Sequence, residues 1–478
     1  MDSGQKSERR DGGIDVEIAG DAGRESFSRA EENLSQLRIP VLLHEDRPHE
    51  RLYVAVMDGT GNSMYDDAPE HWSAVAKLYD QIEKRKPERI SAGYVEGTFT
   101  QNGLLSKPEK LWDGRFGHTF DERVEAAYLQ FCEQAKKWLD EDRQAQIRIA
   151  GVGFSRGGEG IAALQRMVHE RGIRDPLGAK VERDAENLVV SIQYADRPLL
   201  VEPGKTPQVA LLFDPVSTGV EEHDRRLPPS TLSTFQITAQ HERRDMFPSS
   251  QHVVPGFSED NRNYNAWVFG CHSNIGDTYG RNGLGTLSHN LGVEFLNRLS
   301  DTPYLEKRAL PTDPDQYVIH RSDQHMGGLY GTRGYDRHGI RDQVDTLAPE
   351  RLCRRAVVDD CNRKEPIDEL LDAQFERRIG VSPELTGKPG KGVVPDPDDR
   401  STWPWLNDLV ERVSRAGAAK GGYPMSAVVS EYLSGPWARQ FQADIARELA
   451  ARAEPSLPVT PQQASPAEPA RESPALAR

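Results

Sequence analysis

Short, nearly continuous apolar runs alternate along this chain with longer stretches whose apolar residues recur every three or four positions. Residues 52–57 (Leu-Tyr-Val-Ala-Val-Met) form one such run. It is too short for a helix and reads as a strand buried on both faces. It ends in Asp58-Gly59-Thr60-Gly61-Asn62, a turn-forming cluster. Over residues 121–139, Val124, Tyr128, Phe131, Ala135 and Trp138 mark one helix face. Residues 147–152 predict another strand, leading into a turn and then a helix through Met167. Residues 209–213, 235–239 and 266–269 predict three further strands, and 285–299 the helix after the last. The alternation predicts an α/β fold, a mostly parallel central sheet flanked by helices. In such sheets, reactive side chains sit in loops beyond the C-terminal strand ends.

The ends of the chain read differently. Residues 1–48 are rich in Asp, Glu, Arg and Gly, and are expected to form a disordered or loose N-terminal arm. The main folded domain, with insertions, is expected over 49–385. A Gly-, Pro- and Asp-rich break follows at 386–400. Residues 401–452 predict a small helical module, with Leu406, Leu409, Val410 and Val413 on one face, and 453–478 a disordered Pro/Ala-rich tail.

Charge and cysteine content narrow the classes. The 478 residues carry 60 Lys and Arg against 75 Asp and Glu, a net charge of −15. That argues against nonspecific nucleic-acid binding, which needs a phosphate-neutralising excess of basic residues. Cys132, Cys271, Cys353 and Cys361 form no C-x-x-C pair. So few cysteines fit folding in a reducing cytosol, which weighs against a Cys353–Cys361 bond despite its short spacing. The polar N-terminus lacks the apolar core of a signal peptide, and no stretch approaches the roughly 18 apolar residues of a membrane span. Synthesis in the cytoplasm is expected, with any export by a specialised route.

The sharpest chemical signal is Gly153-Phe154-Ser155-Arg156-Gly157. G-x-S-x-G between a strand and a helix is a nucleophile elbow; the bland alternative is a tight turn without catalytic duty. A serine hydroxyl needs a base, and the base an orienting acid. His272, directly after the strand at 266–269, is the expected base. His241, His320 and His325 are weaker candidates. Asp214, at the end of the strand at 209–213, is favoured as the acid, with Glu242 or Asp245 after the next strand as the alternative. The Arg156 N–H is one expected oxyanion donor, and Gly59 or Thr60 supplies the other. Asp58, with Asp66 and Asp67, could be read as a metal site, although helix capping and turn formation explain these carboxylates equally well. No cofactor is expected. The acidic loops near Asp58 and at 313–315 leave room for calcium without demanding it.

Together these pieces resemble the type VI secretion lipase effectors, bacterial phospholipases with a catalytic domain of the α/β-hydrolase fold. The matching segments, in order, are 57–62 (Met-Asp-Gly-Thr-Gly-Asn), 73–79, the elbow through Gly158, 213–216 (Phe-Asp-Pro-Val) and 267–273 (Trp-Val-Phe-Gly-Cys-His-Ser). The chain departs from the family pattern at Asn274-Ile275-Gly276-Asp277 and at His241-Glu242-Arg243. The resemblance implies Ser155, Asp214 and His272 as the triad, and hydrolysis of a glycerophospholipid acyl ester at a membrane surface. It also implies delivery by a secretion apparatus and a cognate immunity protein. The competing readings are an esterase or thioesterase on a soluble acyl substrate, and a non-catalytic binding protein on a hydrolase fold.

Overall fold

The computed structural model describes residues 10–97, 116–183, 189–328, 331–332, 341–354 and 360–382. Among these, seven strands make the central sheet: β1 (Glu50–Met57), β2 (Ile90–Val95), β3 (Gln146–Phe154), β4 (Gln208–Phe213), β5 (Thr231–Ala239), β6 (Gly256–Phe257) and β7 (Asn263–Val268). Their spatial order is β6-β7-β5-β4-β3-β1-β2. Every neighbouring pair is parallel except β6 with β7. This is the mostly parallel, helix-flanked sheet of the α/β-hydrolase fold.

β1 shows how one strand feeds two cores. Successive side chains of a strand point to opposite faces. Leu52, Val54 and Val56 pack with α1 (Gly20–Gln36), α2 (Ala74–Arg85) and α5 (Gly283–Asn297) on one face. Tyr53, Ala55 and Met57 pack with α3 (Phe116–Glu141) and α4 (Arg156–Arg171) on the other. With both faces covered, the strand reads as a continuous apolar run in the sequence.

Register sets the position of the site. Met57 pairs with Val95 and Gly153, Phe154 with Phe213, Phe213 with Ile237, and Ala239 with Val268. The C-terminal ends of these strands therefore share one edge of the sheet, and the loops bearing Asp58, Ser155, Asp214, Glu242 and His272 all leave from it.

Three features depart from the sequence reading. Residues 10–48, expected to be a loose arm, are folded onto the domain. The hairpin Arg10–Asp11 with Ile14–Ile18 extends onto Val318–His320, and α1 buries Gly23, Ser26, Phe27, Ala30 and Leu34. These buried positions do fall at three- and four-residue steps, but three of the five are Gly, Ser or Ala and carry little hydropathy. The last turn of α1 is closed from afar by the buried Arg298, whose guanidinium donates to the Leu34 and Leu37 carbonyls. Second, β2 and α2 were not predicted as elements. β2 is an edge strand with a mixed face, and α2 begins at an N-cap, where Ser73 Oγ accepts the Ala76 N–H at 3.1 Å. Third, Cys353 and Cys361 are joined in a disulfide, with Cα atoms 5.2 Å apart. The compartment argument pointed the other way; the fold brings the two thiols together. The helical module at 401–452, the break before it and the tail lie outside the described residues. No described helix is long and apolar enough to cross a membrane.

Candidate active site

Ser155 sits between β3 and α4 with φ 57° and ψ −128°, a conformation that costs a non-glycine residue free energy. The turn is possible because its neighbours lack side chains. A Cβ on Gly153 would lie 2.5 Å from the Gly157 carbonyl oxygen, and one on Gly157 would lie 2.1 Å from that of Met57. The elbow is tied to the next strand: the Ser155 N–H donates to the Phe213 carbonyl at 3.0 Å, and the Ser155 carbonyl accepts the Gly158 N–H at 3.0 Å. The residue is buried against the loops around it.

Asp214 also has a positive φ, 43°, at the end of β4. Its carboxylate is fully enclosed and accepts from three sides. Oδ1 takes the Ala239 N–H at 3.0 Å, and Oδ2 meets His272 Nδ1 at 2.6 Å. Arg341 Nη1 spans both oxygens, at 2.7 and 2.9 Å. Burial by itself would push the Asp214 carboxyl up. The Arg341 charge and the His272 hydrogen bond outweigh it and hold the carboxyl below its usual range.

His272 opens the short helical turn His272–Ile275 after β7. Its ring stacks on Phe154, centroids 4.7 Å apart, and meets the edge of Phe247 at 5.1 Å. Burial lowers its pKa and wins over the opposing pull of Asp214. The imidazole is therefore neutral at pH 7. An ionised carboxylate only accepts hydrogen bonds, so Nδ1 carries the proton and Nε2 keeps its lone pair. That is the tautomer a general base requires.

The two alternative acids fall elsewhere in the network. Glu242 is buried, but its oxygens hold backbone and neighbours rather than the imidazole ring. Oε1 accepts the N–H groups of Arg243 and Arg244 at 3.0 and 2.8 Å, and Oε2 accepts the His272 backbone N–H at 3.1 Å. The Arg244 guanidinium and the Ser322 hydroxyl fill the remaining sites. Burial opposes its charge, yet Arg244 holds the carboxyl far below the usual range. Glu242 fixes the loop that carries His272. Asp245 follows in the same loop, and the ring's carboxylate partner is Asp214.

The D-G-T-G-N loop lies against the elbow. Asp58 Oδ1 accepts the Gly59 N–H at 2.7 Å, while Oδ2 accepts the hydroxyls of Ser73 and Tyr94 at 2.8 and 2.7 Å. This corrects one expectation. The Gly59 N–H, one of the expected oxyanion donors, donates to Asp58 within its own loop. Burial pushes the Asp58 carboxyl up to about 6 despite these donors. Phe154 joins the pieces: its ring stacks on His272, and Cβ atoms built on Gly59 and Gly276 would lie within 2.7 and 2.2 Å of it.

The other histidines are occupied outside this cluster. His241 Nδ1 accepts the Gly270 N–H at 3.2 Å, His320 bonds Asn274 and Asp11, and His325 bonds the Tyr279 hydroxyl. Asp67 accepts the Ser63 N–H, and Asp313 caps the turn Pro314–Gln316. Among the described residues, no group of three or more His, Cys, Asp or Glu side chains is placed to share a metal ion. Sequence reasoning missed Arg341, Phe154 and Phe247. Arg341 lies 127 positions beyond Asp214 in a charged loop, and no local pattern marks it.

Residues 51–197 match the family model described as T6SS, Phospholipase effector Tle1-like, catalytic domain. The matched span contains β1 to β3, the D-G-T-G-N loop and the elbow. A comparison with curated protein sequences returns no match. Solved structures with a distant likeness include an uncharacterized protein from Pseudomonas aeruginosa (14% identity, 56% of this chain and 47% of that one, TM-score 0.32). Another is the Tle1 effector bound to the VgrG spike from the type 6 secretion system (16%, 47% and 50%, 0.28). A third is a putative carboxylesterase from Lactobacillus plantarum (16%, 40% and 66%, 0.22). The alignments span about half the length of the first two, at 47% and 50%.

Proposed function

We propose that this chain is a serine-dependent lipolytic hydrolase that cleaves a fatty-acyl ester of glycerophospholipids and is exported as a type VI secretion effector. One observation carries the catalytic part: a strained serine at a strand-to-helix elbow, on the same sheet edge as a buried His272–Asp214 pair 2.6 Å apart. The lipid part rests on the family match across that elbow.

In this reading Ser155 Oγ attacks the acyl carbonyl carbon and its proton passes to His272 Nε2. Asp214 stabilises the resulting imidazolium. The Arg156 N–H, at the start of α4, and the Thr60 N–H receive the developing oxyanion, helped by the helix dipole. Collapse expels the lysolipid alcohol, which takes the proton from His272. Water, deprotonated by the same histidine, then releases the fatty acid and restores Ser155. Export carries the chain past the cytosol, in keeping with a Cys353–Cys361 bond that persists in an oxidising compartment. A secretion-apparatus component and a cognate immunity protein in the producing cell complete the reading.

The test has two parts. Fluorophosphonate should label the folded wild type and not Ser155→Ala; equal labelling of the two, or none of either, sinks the serine-enzyme reading. Mass spectrometry of products from mixed phosphatidylethanolamine and phosphatidylglycerol vesicles should find free fatty acid and lysolipid. Cleavage confined to short soluble esters would assign an esterase instead.

A further inference from the structure

The Asp214 carboxylate has two side-chain partners, and the assigned triad uses one. The second, Arg341, arrives from a segment remote in sequence. Residues Gln343–Val344 pair in parallel with Ser249–Ser250, and the Ser249 N–H donates to the Asp342 carbonyl at 3.1 Å. The Ser250 N–H in turn donates to the Pro215 carbonyl at 2.8 Å, next to Asp214 itself. Further along, the Leu347 N–H donates to the Cys361 carbonyl at 2.8 Å and its carbonyl accepts the Arg225 N–H at 2.9 Å. The strap is thus anchored beside Asp214 through Ser249–Ser250 and further along through Arg225 and Cys361.

The guanidinium reaches three parts of the site. Nη1 bonds both Asp214 oxygens and the Ala239 carbonyl at 3.1 Å. Nε and Nη2 donate to the carbonyl of Phe247, whose ring packs edge-on against His272. With its Nε and Nη2 edge pinned on the Phe247 carbonyl, the rigid guanidinium holds Nη1 against both carboxylate oxygens, which fixes the rotation of Asp214 as well as balancing its charge. Without it, Asp214 would keep the Ala239 N–H on Oδ1 and the imidazole on Oδ2, while a second donor on each oxygen would be lost.

We propose that Arg341 is a positioning residue for the hydrolysis assigned above: it holds the Asp214 carboxylate in the rotation that orients His272 and balances its buried charge. The proposal rests on the Ser155–His272–Asp214 reading. The charge count gives it a signature. The ionisable groups acting on the ring are Asp214 after β4 and Glu242 and Arg244 after β5, with Arg341 acting through Asp214; Cys271 precedes His272, and Tyr279 and His325 lie farther off, near Arg244 and Glu242. With Cys271 and Tyr279 held neutral by burial and the imidazoles neutral, two carboxylates balance two guanidiniums. Removing Arg341 leaves one buried negative charge in excess, and that charge favours the imidazolium. The acid limb of the kcat/KM profile should then move to higher pH.

The experiment compares wild type, Arg341→Met and Arg341→Lys on p-nitrophenyl butyrate from pH 5 to 9, with the folded fraction of each measured by circular dichroism. Per folded molecule, Arg341→Met should lose about 10- to 100-fold in kcat with KM within about threefold. Its acid limb should rise by about one pH unit. Arg341→Lys keeps the charge but not the planar group pinned on Phe247, so it should return the acid limb to within about 0.3 units while recovering only part of kcat. Unchanged kcat and pH profile in Arg341→Met would overturn the proposal. So would an acid limb that moves equally in the Met and Lys variants. If Arg341→Met does not fold, the Lys variant decides alone: kcat equal to wild type, or an acid limb displaced as far as predicted for Met, is the overturning result. Failure of the triad reading shows itself separately, as wild-type turnover that survives Ser155→Ala.

Discussion

Replacing Asp214 by Asn tests the assignment of the acid, and the structure says how the new side chain must sit. Oδ1 faces only donors, the Ala239 N–H and an Arg341 N–H, so the amide oxygen must stay there. The amide nitrogen is then forced into the Oδ2 position, 2.6 Å from His272 Nδ1. It can only donate, so Nδ1 becomes the acceptor and the ring proton moves to Nε2. The base loses the lone pair it needs. In serine triads this inversion costs on the order of 10⁴ in kcat, about 5.4 kcal/mol of transition-state stabilisation. Glu242→Gln is the companion variant. Its amide nitrogen would face the His272 backbone N–H or the donors of Arg243 and Arg244, breaking a buried ion pair at about 3–5 kcal/mol of stability. Per folded molecule its kcat should fall by no more than about tenfold, because the ring keeps its Asp214 partner. The assay is p-nitrophenyl butyrate turnover normalised to folded protein from circular dichroism, with urea unfolding alongside. If Asp214→Asn kept a tenth of wild-type kcat while Glu242→Gln lost a thousandfold in folded protein, the acid would be Glu242 and the reasoning here would fail.

Gly157→Ala places a Cβ 2.1 Å from the Met57 carbonyl, a backbone atom that cannot swing aside. It should cost about 3 kcal/mol or more in urea unfolding, together with fluorophosphonate labelling; a midpoint equal to wild type would contradict the elbow geometry. Reducing the Cys353–Cys361 bond reopens a loop of eight-residue separation, and stability should fall by about 2–3 kcal/mol in non-reducing against reducing melts. A Cys353→Ser, Cys361→Ser variant insensitive to reductant confirms the source. Burial lowers His289 to about 3. Below its unfolded value of about 6.5 the unfolded chain takes up a proton that the folded chain refuses, so stability is lost as pH falls. Between pH 6.5 and 4 this amounts to about 3 kcal/mol. His289→Asn should flatten the slope of unfolding free energy over that window, and an unchanged slope would assign the pH dependence to other groups.

Local patterns along the chain suffice for part of this protein. The continuous apolar run at 52–57 and the strand before Ser155 mark strands covered on both faces, because a side-chain period of two feeds two cores at once. The elbow is legible for the same local reason: its strained turn needs small residues at fixed offsets from the serine. The order of serine, acid and histidine along the chain also limits the candidates. What local pattern leaves open is choice among groups that compete for the same partner. Asp214 and Glu242 both end up buried within reach of His272, one on the ring and one on its backbone. Only the register of β4 with β5 and the direction of each loop separates them. The same holds for α1, whose buried face of Gly23, Ser26 and Ala30 has too little hydropathy to announce itself, and for the Cys353–Cys361 bond. Arg341 is the extreme case, since its pairing spans 127 residues and depends on a strap laid beside Ser249–Ser250. The sequence by itself determined which residue types could do the chemistry and where the backbone must turn. Tertiary structure alone decided which carboxylate meets the imidazole and which guanidinium steadies it, because those contacts join chain segments that no local period relates.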